Sequence, residues 1–426
     1  MEKTNEKSRR EFLKRASLLT GAGVMAAASP WLNTLIAGVE NKNLGPNDKI
    51  HIGVIGIGGR GSKLLQHLQL MPEVEIIAIC DDYKPNYDHG VLSTAGKAKA
   101  FFDYKELLQT DGLDAVIIAT PVFLHPVMTI DALKAGKHVF VEKAMGIHIE
   151  DCKAMVDAQK ETGLCLQVGH QRMFDLKYLE ALRRVREGEF GPITHIRTNW
   201  NGNGDWGRKD LPAHLEKKLN WRIYNEYSLG LMGELASHQI QVANWFLDEV
   251  PEYVVGSGSL SYWKDGLRDS FDHAHTIFKY PSGAHLDSTV IQSNWYYGME
   301  EAIMGPKGNF ELENGRYISQ TPPPAPGIKQ LITDVEKKAF QAIPIGGASW
   351  IVESKSNLLG DMIINKYPLP DSTDLQFKAF VQSIRDHKPM NEIIKQGYYA
   401  SVAAIMGHEA MMKKETVFFK KEWMIS

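Results

Sequence analysis

The sequence predicts an α/β protein whose first half is a doubly wound parallel sheet. Short β-branched apolar runs, namely HIGVIGIG, VEIIAICD and LDAVIIAT, have the length and composition of buried strands. Segments with apolar residues at helical spacing separate these runs. Strands that alternate with helices imply right-handed crossovers and a parallel sheet. We therefore expect one domain over residues 48–170 and a second over residues 171–426.

Length and composition agree with this division. The 426 residues are too many for one ordinary core and suffice for two domains. Hydrophobic residues make up 43% of the chain and charged residues 23%, as in a globular protein that works in water. A net charge of -3 gives no reason to expect nucleic acid or an anionic membrane as a partner.

Residues 1–35 have the layout of a bacterial export signal. Arg9 and Arg10 precede a weakly apolar run of Ala, Gly, Leu, Val and Met, which ends at Ser29 and Pro30. This order predicts a twin-arginine signal peptide and a periplasmic protein. The run is too short and too rich in Gly and Ala for a stable membrane anchor. The alternative is an ordinary amphipathic N-terminal helix.

A glycine-rich loop follows the first predicted strand. Gly56, Gly58 and Gly61 form Gly-x-Gly-x-x-Gly between a strand and a helix. In that context the first glycine permits a tight turn, the second lets the backbone approach a pyrophosphate, and the third lets helix and strand pack closely. The helix N-terminus then presents its free N–H groups to the phosphates. Gly59 and Arg60 belong to the same predicted dinucleotide site.

Asp81 ends the second predicted strand, twenty positions after Gly61. A carboxylate at this position accepts hydrogen bonds from a ribose diol and repels a 2′-phosphate, so the sequence favours NAD over NADP. Arg60 within the loop weakens this preference, and the neighbouring Asp82 is an alternative ribose ligand. The remaining alternative is a doubly wound domain that binds no dinucleotide.

Polar residues follow three more predicted strands, in ATPVFLH, VEKAMG and VGHQRMF. In an open α/β sheet the ligand lies beyond the carboxyl ends of the strands. We therefore predict that these residues contact cofactor or substrate: Thr120, Pro121 and His125 after one strand, Glu142 and Lys143 after the next, and His170 and Arg172 after the last.

Lys143 is the most informative of these residues. A lysine at the end of a buried strand is unfavourable unless it is paired or used. Beside a nicotinamide, its ammonium group would polarise a substrate hydroxyl or carbonyl and relay a proton. The alternative is a structural pair between Glu142 and Lys143.

These motifs together resemble the Gfo/Idh/MocA family, named for glucose–fructose oxidoreductase, inositol dehydrogenase and a rhizopine-catabolism protein. The resemblance rests on the glycine loop, ATPVFLH, AGKHVFVEKAMG, NWR, GLMGELASHQIQVANWFL and GPKGNFEL. The family usually has Glu-Lys-Pro where this chain has Ala144 after the lysine. The resemblance places Trp221 and Arg222, from NWR, near the cofactor.

The resemblance also implies the rest of the fold and the activity. Family members carry a Rossmann domain followed by an α/β domain with a large open mixed sheet. They transfer hydride between sugars, polyols or their derivatives and NAD or NADP. An uncovered sheet face implies a homodimer or homotetramer built through the second domain.

Glu234 and His238 match the family's Asp-x-x-x-His motif, with Glu in place of Asp. Their spacing puts both side chains on one helix face. The resemblance implies that this pair faces the substrate, with the histidine as the group that takes the hydroxyl proton. The local sequence alone favours a capping glutamate and a structural histidine, and the resemblance reverses this preference.

Two further interpretations concern the same region. His170, Glu234 and His238 are possible metal ligands, but the family chemistry needs no metal, so none is expected. The segment 199–214, which contains Trp206, has the residue mixture of a loop that stacks on a pyranose. It is equally consistent with a loop that holds subunits together. His170, Arg172 and Trp206 are our predicted substrate-binding residues.

The function predicted from the sequence is a periplasmic sugar or glycoside oxidoreductase that holds NAD tightly and oxidises a pyranose hydroxyl, plausibly at C3. One alternative is an NAD-dependent glycosidase that works by oxidation and elimination. Another is a sugar-binding protein without activity. Retention of Lys143 and His238 favours an enzyme.

Overall fold

The computed structural model of the chain describes residues 49–189, 191–319, 361–364 and 368–425. The predicted export signal over residues 1–35 lies outside these described residues. Within them, no helix is both long enough and apolar enough to cross a membrane. The three cysteines are buried and form no disulfide.

The first domain contains a six-stranded sheet in the order β3-β2-β1-β4-β5-β6. All neighbouring strands are parallel, which confirms the doubly wound sheet. The strands are β1 (Ile50–Ile55), β2 (Val74–Cys80), β3 (Lys99–Phe101), β4 (Ala115–Ile118), β5 (His138–Val141) and β6 (Leu166–Val168). The crossover helices are α1 (Gly59–Gln69), α2 (Lys84–Ser93), α3 (Tyr104–Leu108), α4 (His125–Lys134) and α5 (Ile149–Thr162).

Both faces of this sheet are covered. Along β4, Ala115 and Ile117 belong to one buried apolar cluster, and Val116 and Ile118 belong to another. Successive side chains of a strand point to opposite faces, so a strand buried on both sides reads as a continuous apolar run. This is the pattern on which the sequence prediction depended.

The second domain contains a nine-stranded sheet in the order β14-β13-β12-β11-β7-β10-β9-β8-β15. Neighbours are antiparallel except β7 and β10, which are parallel. The strands are β7 (His195–Asn201), β8 (Tyr253–Ser259), β9 (His273–Lys279), β10 (His285–Ile291), β11 (Met299–Gly305), β12 (Gly308–Glu311), β13 (Arg316–Ser319), β14 (Asp361–Met362) and β15 (Val417–Phe418). The mixed sheet is therefore confirmed.

One face of the second sheet packs on helices and the other is open. Along β9, Ala274 and Phe278 are buried, whereas His275 and Ile277 are exposed. The helices that follow β6 are α6 (Leu176–Arg186), α7 (Ala213–Leu219), α8 (Ser237–Leu247), α9 (Ser372–Arg385) and α10 (Asn391–Lys413). Helices α8 and α10 share a buried apolar cluster with the inner face of this sheet.

The end of the chain returns to the first domain. Phe377 and Phe380 of α9 pack against Phe140 of β5, with ring centroids 5.0 Å and 6.0 Å apart. In α10, Ser401 Oγ accepts a hydrogen bond from the Met145 backbone N–H at 2.9 Å. The sequence division at residue 170 did not include these contacts, which fix the second domain against the carboxyl ends of β5 and β6.

Helix ends follow local side-chain chemistry. Asp103, Asp175 and Asp371 precede α3, α6 and α9, and each carboxylate accepts a backbone N–H from the first turn. Helix α5 ends at Gly163, whose φ of 67° is left-handed.

Candidate active site

The glycine loop has the geometry that its spacing predicts. Gly56 has a φ of 89°, which a residue with a side chain rarely adopts. A Cβ atom on Gly61 would lie 1.8 Å from the Gly56 carbonyl oxygen, so only glycine fits there. At Gly58 and Gly59 a Cβ would meet no atom closer than 3.8 Å. The loop therefore leaves open space over the N-terminus of α1, where a pyrophosphate can accept N–H groups.

Asp81 lies at the end of β2, beside this loop. Its Oδ2 atom accepts hydrogen bonds from the Ile57 N–H at 2.7 Å and the Asn86 amide at 3.2 Å, and Oδ1 accepts one from the Tyr83 N–H at 2.9 Å. Burial raises the pKa of the carboxyl, and the three hydrogen bonds oppose that rise. They fix the carboxylate in the wall of the cleft, which suits a ribose ligand.

A cleft of about 640 Å³ runs over the loop and is bordered by residues of the second domain. Its lining includes most of the predicted cofactor residues: Gly56, Gly58, Gly59, Arg60, Asp81, Thr120, Pro121, Trp221 and Arg222. We call this cavity the dinucleotide cleft. The second domain contributes residues of the segment 208–222, of which only Trp221 and Arg222 were predicted as cofactor residues.

A smaller cavity of about 250 Å³ adjoins the cleft. Arg60, Thr120, Trp221 and Arg222 line both spaces, so the two are immediate neighbours. We call the smaller space the catalytic cavity. Its lining includes His125, Glu142, Lys143, Glu234 and His238, which the sequence placed on three separate elements.

Lys143 reaches across from the first domain to the second. Its Nζ atom donates hydrogen bonds to the carbonyl oxygens of Gly233 at 3.2 Å and Glu234 at 2.5 Å. These carbonyls belong to a π-helical turn, Met232–Ala236, that precedes α8. Burial lowers the pKa of the ammonium group, and the Glu234 and Glu142 carboxylates oppose that change. An ammonium has three N–H donors, so one remains for a substrate oxygen.

The carboxylates beside Lys143 are paired with arginines. Glu234 accepts a hydrogen bond from Arg222 Nε at 2.7 Å, and Glu142 accepts one from Arg60 Nε at 2.7 Å. Burial raises the pKa of Glu234, but Arg222 and Lys143 outweigh burial and leave it below its ordinary value. Glu234 is therefore an anion that orients Arg222, and it faces Lys143 through its backbone carbonyl.

His238 is buried in the wall of the catalytic cavity. Burial, followed by the charges of Lys143 and Arg172, lowers the pKa of its ring well below the ordinary value. The ring is therefore neutral at physiological pH and able to accept a proton. Its Nδ1 atom has no hydrogen-bond partner among the residues that the structure describes.

His170 packs edge-on against His238, with ring centroids 5.8 Å apart. It is 1% exposed, and neither ring nitrogen has a hydrogen-bond partner within the described part of the chain. Burial lowers the pKa of His170 to about 3, with smaller contributions from Lys143 and Arg172. His170 thus supports the ring of the histidine that lines the cavity.

His125 lies in the opposite wall, with ring nitrogens 2.8 Å from the Ala144 carbonyl oxygen and 3.0 Å from that of Thr120. It holds the loop after β4 against the turn after β5. The peptide bond between Lys143 and Ala144 in that turn is cis.

Of the three predicted substrate-binding residues, none lines either cavity, and His170 contacts the site through His238. The Arg172 guanidinium is buried and contacts Glu301 at 3.0 Å and Glu313 at 2.9 Å. Trp206 packs against the main apolar cluster. Direct substrate contact therefore stays a prediction for His170 as for Arg172 and Trp206. In the described ranges, no group of three or more His, Cys, Asp or Glu side chains is arranged to hold a metal.

The sequence analysis missed Arg208, Lys217, Lys218 and Tyr227, which line the dinucleotide cleft from the second domain. A run of basic residues in GRKD and EKKL was the available signal. Such runs are usually solvated surface, so composition alone does not separate cofactor ligands from exposed charge.

The glycine loop, the open space above it and the ribose-directed carboxylate fit a dinucleotide, and the adjoining catalytic cavity supplies proton-transfer groups. These features define a dinucleotide-binding site with proton-transfer groups beside it. A model of the oxidoreductase family GFO/IDH/MocA, described as an NAD-binding Rossmann fold, matches residues 50–170. A second model, of the GFO/IDH/MocA C-terminal domain, matches residues 178–311. The chain belongs to this family.

Curated relatives are similar over part of the chain. A glycosyl hydrolase family 109 protein of Solibacter usitatus is 34% identical over 252 residues, which are 54% of this chain and 55% of that protein. One from Shewanella pealeana is 31% identical over 234 residues, covering 51% of this chain and 50% of the relative. The chain spans about half the length of the curated relatives it matches.

Solved structures are similar in fold. The aldose-aldose oxidoreductase of Caulobacter crescentus, complexed with glycerol, has a TM-score of 0.67 at 19% identity, covering 87% of this chain and 100% of that one. A levoglucosan dehydrogenase in complex with NADH and levoglucosan has a TM-score of 0.66 at 18% identity, covering 87% and 99%.

Proposed function

We propose that the protein is an exported oxidoreductase of sugars or glycosides that transfers hydride between C3 of a pyranose and tightly held NAD. One observation carries this proposal. Lys143 and His238 come from different domains, yet they line one cavity that adjoins the dinucleotide cleft.

The side chains of the cavity divide the proton chemistry. NAD, when bound, supplies the hydride acceptor. The third N–H of the Lys143 ammonium donates to the substrate oxygen and favours the charge that develops there. The neutral ring of His238 accepts the hydroxyl proton as hydride leaves the same carbon. Glu234 stays ionised and holds Arg222 at the boundary between the two cavities.

The substrate class is supported by the relatives. Levoglucosan and aldoses appear in the names of two structures with this fold, and the curated relatives are named as glycosyl hydrolases. A pyranose presents several hydroxyls on a compact ring, which suits a small cavity lined by charged and imidazole groups.

The curated relatives favour a second candidate, which is a net glycosidase. Oxidation of a pyranose hydroxyl at C3 acidifies the neighbouring C2–H. A base then removes that proton, the C1 substituent leaves with its bonding electrons, water adds to the resulting double bond, and hydride returns to C3. The same cavity would serve both outcomes, so product analysis has to separate them.

Tight retention of the cofactor follows from the proposed export. Free NAD is scarce outside the cytosol, so a cofactor that dissociated in each turnover would be lost. A twin-arginine signal fits this need, because that route carries proteins that have already folded. Replacement of Arg9 and Arg10 by lysine should leave the protein in the cytoplasmic fraction, and export of that variant at the wild-type level would contradict the proposed route.

The function is tested on the full chain as purified. The bound cofactor is identified after denaturing extraction, and the long-wave ultraviolet absorbance of reduced nicotinamide is followed while free sugars and glycosides are added. A keto-sugar with an intact glycosidic bond identifies an oxidoreductase, and a released aglycone identifies a glycosidase. Absence of cofactor and of any spectral response across the panel would exclude both.

A further inference from the structure

Five cationic side chains line the dinucleotide cleft, and four of them are already neutralised. Each of the four has a carboxylate partner within 3 Å: Arg60 with Glu142 at 2.7 Å, Lys217 with Glu226 at 2.9 Å, Lys218 with Asp82 at 2.8 Å, and Arg222 with Glu234 at 2.7 Å. The fifth is Arg208, whose guanidinium has no carboxylate partner among residues 49–189, 191–319, 361–364 and 368–425. An unpaired cation in a cleft is available for an anionic ligand.

The main chain of Arg208 is held in place, although its side chain is exposed. Asn220, which is 1% exposed, accepts the Arg208 backbone N–H at 2.8 Å and donates its amide to the Arg208 carbonyl at 3.0 Å. The same amide donates to Glu216 Oε1 at 2.9 Å, and Tyr224 Oη donates to that oxygen at 2.6 Å. The buried Asn220 amide therefore fixes the position of the Arg208 main chain, from which the guanidinium extends. A ligand-binding residue has to be held in this way.

The segment that carries Arg208 spans the cleft. Lys218 Nζ lies 2.8 Å from Asp82 Oδ2 and 3.2 Å from the Asp82 carbonyl, directly after the ribose-directed Asp81. On the other side, Trp221 packs with Val122 and Ala144 of the first domain. Arg208 precedes both contacts along the chain and lines the same cleft as the glycine loop.

We propose that Arg208 binds the pyrophosphate of NAD from the second domain, opposite the glycine loop, and that this contact retains the cofactor. A pyrophosphate carries two negative charges, and the loop supplies uncharged N–H groups. A guanidinium offers a planar set of donors that matches phosphate oxygens. The inference rests on the proposed tight retention of NAD and assigns part of it to one side chain.

The position of Arg208 in the second domain gives a reason to expect a large effect of this one side chain on NAD retention. Arg208 and the glycine loop belong to different domains. A cofactor that contacts both must therefore lose its contacts with one domain before it can dissociate. The exposed Lys218–Asp82 pair contributes less, since surface ion pairs are weak.

The test compares Arg208→Gln, which removes the charge, with Arg208→Lys, which keeps it. Lys209→Gln is the matched control, because Lys209 is the adjacent exposed cation and does not line the cleft. NAD remaining per chain is measured after gel filtration, together with its release rate during dialysis. The affinity of charcoal-treated protein for ADP and for adenosine is measured by calorimetry.

We expect Arg208→Gln to release NAD about tenfold faster and to bind ADP about tenfold more weakly, which corresponds to about 1.4 kcal/mol. Adenosine binding and the Lys209→Gln control should match the wild type, and Arg208→Lys should recover part of the loss. Unchanged ADP affinity in Arg208→Gln, or an equal loss for ADP and adenosine, would overturn the assignment. If the wild-type protein bound neither NAD nor ADP, the proposed function would fail instead.

Discussion

His170 makes the stability of the folded chain dependent on pH. Its ring is buried without a hydrogen-bond partner in the described residues, and its pKa in the folded chain is about 3. In the unfolded chain the ring has an ordinary pKa of about 6.5. Between these two values the unfolded chain binds a proton at His170 that the folded chain does not. The contribution of the neutral His170 ring to the free energy of unfolding is therefore fully present above about pH 6.5 and decreases as the pH falls.

The size of this effect follows from the two pKa values. At pH 7 the unfolded ring is mostly neutral, and at pH 5 it is almost fully protonated, whereas the folded ring is neutral at both. Linkage gives a loss of about 2 kcal/mol from His170 between pH 7 and pH 5. Other buried histidines with lowered pKa values, among them His125 and His238, add to the total loss in the wild type.

The contribution of His170 is isolated with His170→Asn, which removes the titrating group. Urea unfolding followed by tryptophan fluorescence is measured at pH 7 and pH 5. The fall in unfolding free energy should be smaller by about 2 kcal/mol in the variant than in the wild type. His148→Asn, at an exposed position, should leave the wild-type pH dependence unchanged. Equal falls in the wild type and His170→Asn would refute the assignment of a buried neutral ring.

Three further predictions concern the site and the assembly. Lys143→Ala and His238→Ala should each reduce bound NAD with sugar 10²–10⁴-fold more slowly, by about the usual contribution of acid–base catalysis; wild-type rates in both would place the chemistry elsewhere. Asp81→Ala should weaken NAD retention and make NADP more acceptable, and NADP as the sole cofactor extracted from the wild type would contradict this. Exposed apolar side chains on the open sheet face, such as Ile277 and Val255, predict a dimer or tetramer. A monomer found by light scattering at micromolar concentration would disprove this.

The sequence predicted the parts of the fold that depend on short-range patterns. The strand at β4 is apolar on both faces, and the glycine spacing permits one backbone path, so both could be identified from a few consecutive residues. Lys143 was found because it lies at the end of a predicted buried strand, and His238 because it matches the family's Asp-x-x-x-His motif. Their meeting in one cavity depended on domain packing, which the family resemblance implied.

Pairings between distant segments could not be predicted in this way. Arg172 follows a strand end just as His170 does, but its partners are Glu301 and Glu313, more than a hundred residues further along the chain. Local sequence does not reveal that a guanidinium is already neutralised. Arg208 was missed for the same reason. It stands out only once the structure shows that the other cations lining the cleft are paired with carboxylates.

The position of Lys143 joins domain packing to chemistry, and this decides how its variants must be interpreted. Its ammonium group uses two donors on the carbonyls of Gly233 and Glu234 in the second domain, and the third faces the catalytic cavity. Removing the side chain therefore deletes a proton-transfer group and an interdomain contact together. A slow Lys143→Ala variant that keeps its NAD would show that the lost activity is chemical, since residues of both domains line the cleft. A variant that loses NAD and activity in proportion shows instead that the contact between the domains was the main contribution.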